Sequence, residues 1–544
     1  MKNKKILVIS LFASLSFSGY AQEADEIKTV NIAGIEQDVK ESAASISIIS
    51  GEDLTKRSAK NVTNSLYGYG LGLTTLQNSG HYATQEPTLY VRGMQTLSDN
   101  KGPLTLVDGI ERDIKLITPE EVESVQILKD AAAVALYGYK GANGVINIIT
   151  KRGKYNTREI KFSYDHVINW EARRPEFVDG YTYALAVNEA LANDGVRKPR
   201  YHELELDAFK SGNYPYFYPN VNWMDEVFKN TAATNLYNIS FRGGGAKFRY
   251  YALLNLTTDK GFIDNANMND GYSTQNKYSK ANLRTNLDID LTSTTKMTVN
   301  LLGTLAETSR PGDNADLWSM IYQLPPTAFP VRTENGLWGG SITWAGTLNP
   351  VAQSQATAYT KGHNRSLYAD MTLKQDLSSI LPGLGGSFKL AYDNYAAYVE
   401  NHSKTYRYGI DYVAWASGKP TAGTQNVFGT ESPMGTDSDM SEWKRNFNSA
   451  LGLDYQYASD KHAVYTQLMW NHEYRNLNGT NQTWYRENLT SYTHYGYKGR
   501  YFADLSMAVS SSNKLAPGHK WAFSPTLALA WVISKENFME KADF

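Results

Sequence analysis

Long stretches of the chain alternate apolar and polar residues with a period of two. In 282–291, Leu283, Leu287, Ile289 and Leu291 fall on one face of an extended strand, and Asn282, Arg284, Asn286, Asp288 and Asp290 on the other. Phe248, Tyr250, Ala252, Leu254 and Leu256 repeat the pattern, as do Leu367, Ala369, Met371 and Leu373, and Tyr501, Ala503, Leu505, Met507 and Val509. A two-layer sandwich also alternates, but its strands are typically about five or six residues long. These runs reach nine or ten residues, the length of a strand that crosses a bilayer. Connections alternate too, with short turns at 243–246, 292–296 and 458–461 and long polar and aromatic segments at 170–232 and 306–364. Short turns on one side and long loops on the other mark a transmembrane barrel, with the long loops facing outward. Counting the alternating runs from Glu159 to Ile533 predicts about eleven strands.

Before Arg158 the texture is that of a small α/β unit. A strand at 45–49 and a helix to about Leu66 open it, and Gly68, Gly70 and Gly72 read as a tight turn, since a phosphate loop needs a strand before it and a helix after it. Thr118, Pro119 and Glu121 have the spacing of a capping box with proline at the first helical position. A strand at 125–128 follows, and Asp130 caps an alanine-rich helix that stops at Gly138. Gly141 to Gly144 makes a turn into a strand at 145–150. Met1 to Ala21 carries Lys2, Lys4 and Lys5, an apolar run from Ile6 to Phe17 and small residues before the cut, so it reads as a secretory signal.

Composition narrows the picture without deciding it. The chain has 544 residues and a net charge of -1, with no basic excess that would point to nucleic acid. Thirty-eight tyrosines and eleven tryptophans suit the aromatic girdles of a barrel, and equally a secreted aromatic-rich glycan-binding β protein. There is no cysteine, which excludes disulfides and thiol chemistry. The nine histidines show no metal-ligand spacing, and no Ser or Asp sits in a nucleophile turn, so no catalytic residue, cofactor or metal is expected.

Val91-Arg92-Gly93, Leu106-Val107-Asp108-Gly109, Lys129-Asp130 before three alanines, Tyr137-Gly138, Gly141-Ala142-Asn143-Gly144 and Lys151-Arg152-Gly153 occur in one order over some sixty residues. Together they resemble the plug domain of TonB-dependent outer-membrane receptors of the SusC/RagA family. The resemblance implies an α+β plug domain followed by an antiparallel transmembrane β-barrel, incomplete at about eleven of an expected twenty-two strands. Its divisions are a signal peptide at 1–21, an N-terminal extension at 22–40, the plug at 41–154 and a partial barrel at 155–544. Two open edges in hydrocarbon would leave unpaired backbone groups that cost several kcal/mol each, against a typical stability of about ten. The chain is therefore expected to be a fragment that does not transport alone.

The family position of the TonB box falls on Glu26, Ile27, Lys28, Thr29, Val30, Asn31 and Ile32, either a strand for β-augmentation by TonB or a plain tether. Arg92 is either a latch onto lumen acids such as Asp288 and Asp290 or a surface arginine. Lys129 and Asp130 read as packing and capping residues, and Gly93, Gly109, Gly141 and Gly144 as turns. Trp318, Trp338, Trp344 and Trp415 lie on the outer segments and either stack on sugar rings or anchor the barrel. The partners that follow from the resemblance are the TonB complex of the inner membrane, a SusD-like surface lipoprotein, outer-membrane lipid and a glycan or peptide ligand. A passive porin or adhesin is the alternative, and a plug ahead of the first strand argues against it.

Overall fold

In the N-terminal part, side-chain caps and β-rich apolar runs set the elements. The computed structural model describes residues 29–32, 35–77, 86–97, 101–267, 271–312, 316–478 and 483–539, so the expected leader lies outside the described residues. β1 (Thr29–Ile32) and β2 (Ile35–Asp38) pair as a hairpin. β3 (Ile46–Ser50) leads into α1 (Gly51–Thr55), where the Ser50 hydroxyl accepts from the Asp53 amide, and Asn61 caps α2 (Val62–Ser65) in the same way. The helix expected up to Leu66 is thus two short ones. β4 (Leu73–Leu76) pairs with β5 (Thr88–Val91), preceded by a turn in which Gly70 has φ +79°. β6 (Leu104–Val107), β7 (Ile110–Glu111), β8 (Val122–Leu128) and β9 (Val145–Thr150) complete a five-stranded sheet in the order β3-β8-β9-β6-β7. The Thr118 capping box forms, but it starts only a 3-10 turn, Pro119–Glu121. Asp130 caps α3 (Ala131–Val134), accepting from the Ala133 amide at 3.0 Å.

The remainder is strand, loop and a second small core. β10 (Arg158–Trp170), β11 (Thr231–Gly244), β12 (Phe248–Lys260), β13 (Lys277–Asp290) and β14 (Thr295–Pro311) come first. β15 (Trp338–Gly339), β16 (Tyr359–Asp376), β17 (Leu384–Ser403), β18 (Tyr408–Ala416) and β19 (Lys419–Phe428) follow. β20 (Gly435–Ala458), β21 (His462–Leu477), β22 (Thr483–Tyr497), β23 (Tyr501–Ser511) and β24 (Trp521–Trp531) end the series. Twelve of these form one antiparallel sheet in sequence order, from β10 to β24, with β15, β18 and β19 set apart in a sheet of their own. The count is twelve rather than about eleven, and among the described residues β10 and β24 do not pair with each other.

The strands also outrun the expected nine or ten residues. β20 has 24 residues, and β14 and β16 continue into what the sequence marks as a loop at 306–364. Backbone pairing persists past the apolar band because register, once set, needs only extended neighbours on each side. The long connections are folded too: Trp223, Met224, Ile321, Phe329, Trp338 and Val351 are buried together in a loop core.

Burial along the wall is inverted relative to a water-soluble protein. On β13, Asn282, Arg284 and Asn286 are each 1% exposed while Leu283 is 57% exposed, and Leu305 on β14 is 60% exposed. A sandwich in water would hide the leucines. Here the concealed row is polar because it faces the N-terminal unit, and the open row is apolar because it faces hydrocarbon. We expect Leu301→Arg, in the middle of that open row on β14, to cost about 2–4 kcal/mol in urea unfolding from lipid vesicles; a loss below about 0.5 kcal/mol would mean that the row does not face lipid.

Candidate functional site at the plug and wall interface

The polar row of the wall closes on the N-terminal unit through ion pairs and hydrogen bonds. Arg112, just past β7, meets two acids of the wall. Its Nε and Nη2 donate to Asp393 at 3.1 and 2.8 Å, and its Nη1 donates to Asp370 Oδ2 at 2.7 Å. Asp370 also accepts from Asn300 Nδ2 at 2.6 Å. All three charged side chains are at most 5% exposed. Burial works against the Arg112 cation, but Asp393 and Asp370 outweigh it and raise its pKa above the ordinary arginine value.

Three further contacts flank this one. Glu121, the acid of the capping box, pairs with Arg284 of β13, and both are essentially inaccessible. Glu111 accepts from Lys140 of its own unit and from Arg475 Nη2 of β21 at 2.8 Å, while Lys140 reaches Glu473 at 3.0 Å. Burial alone would raise the Glu111 pKa, but Lys140 and Arg475 together hold it down to about 2. Asp108, held by the Thr150 amide and hydroxyl at 3.0 and 2.7 Å, faces Arg152, whose Nη1 donates to Asn300 at 2.6 Å and lies 3.5 Å from Asp288. Burial pushes the Asp108 carboxyl up, and Arg152 and Arg284 pull it below the usual range. Asn282 and Asn286 add bonds to the Leu116, Lys151 and Thr150 oxygens.

Glycines set the closest approaches. A Cβ on Gly138, which has φ +56°, would lie 2.1 Å from Ser510 Oγ of β23, and one on Gly153 would lie 2.2 Å from the Tyr250 amide of β12. Any side chain there would push the unit off the wall.

The expected site residues distribute unevenly over this interface. Arg92 does not reach an acid: it is exposed, has φ +56°, and its Nη2 sits 3.4 Å from Ser45 Oγ. The buried arginine–carboxylate contact expected there is made by Arg112, while Asp288 is taken by Arg152 and Arg249 and Asp290 accepts from the Tyr155 hydroxyl. Asp108 and Gly109 form the β6–β7 turn with φ 51° and 78°. Lys129 Nζ donates to Ser47, and Asp130 Oδ2 also accepts from the Ser45 amide. Tyr137 is enclosed, which raises its hydroxyl pKa to about 12. Gly93 and Gly144 have φ 84° and 85°, Gly141 accepts from the Gly144 amide, and Asn143 donates to the Gly102 carbonyl at 3.4 Å. Glu26, Ile27 and Lys28 lie outside the described residues, and Thr29, Val30, Asn31 and Ile32 form β1, paired with β2.

The tryptophans divide as well. Trp338 is a loop-core residue under Arg332, whose guanidinium is 3.7 Å from the ring centre, so it has no free face for a ligand. Trp318 stacks on Phe228 at 5.0 Å and Trp344 packs on the same core. Trp415 is the exposed one of the four, tilted against Tyr218. Arg112 escapes sequence reasoning because an Asp-Gly turn followed by Glu-Arg looks like any solvated hairpin; its acids are 258 and 281 residues away.

A family model described as the TonB-dependent receptor plug domain matches residues 38–145. SusC of Bacteroides thetaiotaomicron is 22% identical over 95% of this chain and 52% of its own length. Along nearly its whole length the chain is similar to TonB-dependent receptors of the SusC/RagA type. TonB-dependent receptor P3 of Formosa agariphila is 22% identical over 96% of this chain and 50% of its own length. The RagAB peptide importer in its open-open state superposes with a TM-score of 0.72 at 15% identity, over 94% of this chain and 59% of that one. This chain spans about half the length of the curated relatives it matches. The N-terminal unit is thus a receptor plug, and the lipid-facing sheet is outer-membrane wall.

Removing Arg112 alone strands two buried carboxylates, and such a loss typically costs about 3–5 kcal/mol. We expect Arg112→Met to lower the unfolding free energy by that order, and Arg112→Met with Asp370→Asn and Asp393→Leu to recover most of it in urea titrations of the vesicle-embedded chain. Glu111 gives a pH signature. Its folded pKa is below the unfolded value of 4.5, so its contribution is complete above about 4.5 and is lost as pH falls toward 2. Protease resistance of the plug should fall between pH 4.5 and pH 2 in the wild type, and the acid limb should be shallower in Glu111→Gln.

Proposed function

We propose that this chain supplies the plug and twelve wall strands of a transporter that takes up nutrient oligomers, glycan or peptide, across the outer membrane, driven by TonB. The observation that carries the reading is the interface itself: a plug held to the polar side of a lipid-facing wall largely by charges and amides, with limited apolar contact at Leu302, Tyr368 and Tyr492. Such contacts exchange for water at small net free energy, so the plug can be remodelled by a pull without unfolding the wall. A passive porin has no use for that arrangement.

The SusC and RagAB relatives support an oligomeric substrate and a SusD-like lipoprotein as the outward partner. The folded loop layer and the exposed Trp415 support an outward face able to receive one. The segment ending at β1 is the part offered to TonB by β-augmentation. No bond of the substrate is made or broken in this scheme.

Energised uptake is the test. Cells supplied with fluorescent oligosaccharides or oligopeptides should accumulate one class, and accumulation should fall to background when residues 22–33 are deleted or when the proton gradient is collapsed. Uptake that persists in both conditions would replace the transporter with a passive pore.

A further inference from the structure

On the outer face of the wall, β12 to β17 leave a crevice of about 330 Å³. Leu254, Leu283, Leu305 and Leu367 line it, all of them exposed. Its floor is Gly303 on β14, where an added Cβ would meet nothing within 4 Å. The gap is therefore not required by backbone packing; it is a place where a side chain is missing from an otherwise continuous apolar row.

Arg365 and Asn394 also line this crevice, Asn394 opposite Leu367 in the β16–β17 register with its Nδ2 donating to the Tyr392 hydroxyl at 3.4 Å. Arg365 is opposite Leu305 in the β14–β16 register and exposed, yet no described residue gives its guanidinium an ion pair, hydrogen bond or ring contact. The nearby acids are engaged elsewhere: Glu307 and Glu400 lie 3.3 and 3.6 Å from the two ring nitrogens of His363. Lys361 is on the same side of β16, two pairs closer to the long loops, and also exposed. A guanidinium bordering hydrocarbon is costly without an anion, and its planar fork matches a phosphate.

We propose that the crevice holds an acyl chain of a phosphorylated outer-leaflet lipid, with Arg365 on the phosphate, Asn394 donating beside it and Lys361 adding charge above. The apolar depth selects a chain, and the unpaired cation at the loop side selects an anionic head. Gly303 keeps the chain's slot open.

The test uses the full chain purified from outer membranes, delipidated in mild detergent, and native mass spectrometry with three probes: a bisphosphorylated lipid of the lipid A type, its dephosphorylated counterpart and inorganic phosphate. The wild type should retain the phosphorylated lipid in preference to the dephosphorylated one and should not retain phosphate alone. Arg365→Gln should weaken retention by about tenfold, Arg365→Lys by less, and Gly303→Leu should weaken it with every charge in place. Circular dichroism and heat-modifiable gel mobility would verify that each variant is folded. Equal retention of both lipids, phosphate binding as well as the lipid does, or unchanged retention in Arg365→Gln and Gly303→Leu would each overturn the proposal.

Discussion

The placement of Arg112 between Asp370 and Asp393 constrains everything around it. Three charges with almost no access to water are stable only together. Satisfying them requires β7 of the plug to lie against β16 and β17, which fixes the depth and rotation of the whole unit. It also explains the inverted wall. A strand whose inner row must answer arginines, carbonyls and carboxylates has to be polar inside, and with lipid outside it has to be apolar there. Period-two alternation in the sequence is the trace of that double demand.

The same constraint divides what can be read from sequence from what cannot. Period-two alternation is local, so β13 and its facing leucines are legible in the order of residues alone, as are the Thr118 and Asp130 caps, which join residues three apart. Strand ends are not legible, because β14 and β20 are extended beyond the apolar band by pairing with neighbours rather than by their own composition. Arg92 stands out over Arg112 in the sequence for a related reason, yet in the structure it is Arg112 that meets buried acids while Arg92 meets Ser45. Both are single arginines beside a glycine turn, and only contacts hundreds of residues apart distinguish them. Trp338 reads as a loop aromatic and is a core residue, because the loops between strands fold a core of their own.

Apolar burial does contribute to the plug, but mostly within it. Val125, Ile127, Ile146 and Ile148 are fully enclosed, and from the wall only Leu302 and Tyr368 join that cluster among the described residues. A smaller cluster sets Tyr492 and Tyr465 of the wall on Leu136, Ile46 and Ile48, so the plug holds its own fold by the hydrophobic effect and its place mainly by polar contacts. Those two terms respond differently to water. Hydrating an apolar core costs about 25 cal/mol for each Å² exposed, whereas hydrating a buried ion pair returns most of the Coulomb energy it loses. A disturbance at the interface is therefore separable from unfolding of the unit.

Weak net energy raises the question of what so many charges achieve at the interface, and their arrangement supplies an answer. The plug presents a cation at Arg112 to two acids, an anion at Glu121 to Arg284 and an anion at Glu111 to Arg475. Both signs are distributed over the plug and each is complemented on the wall. Adjacent strands are about 4.8 Å apart, so a rotation by one or two strands would set Arg112 toward unmatched groups and take Glu121 away from Arg284. Like-charge and unpaired arrangements of that kind cost several kcal/mol, far more than the matched set contributes. An apolar interface would tolerate such a slip with little loss. The charges therefore select one seating of the plug while leaving that seating reversible, and Gly138 and Gly153 allow the backbone to come close enough for them to do so.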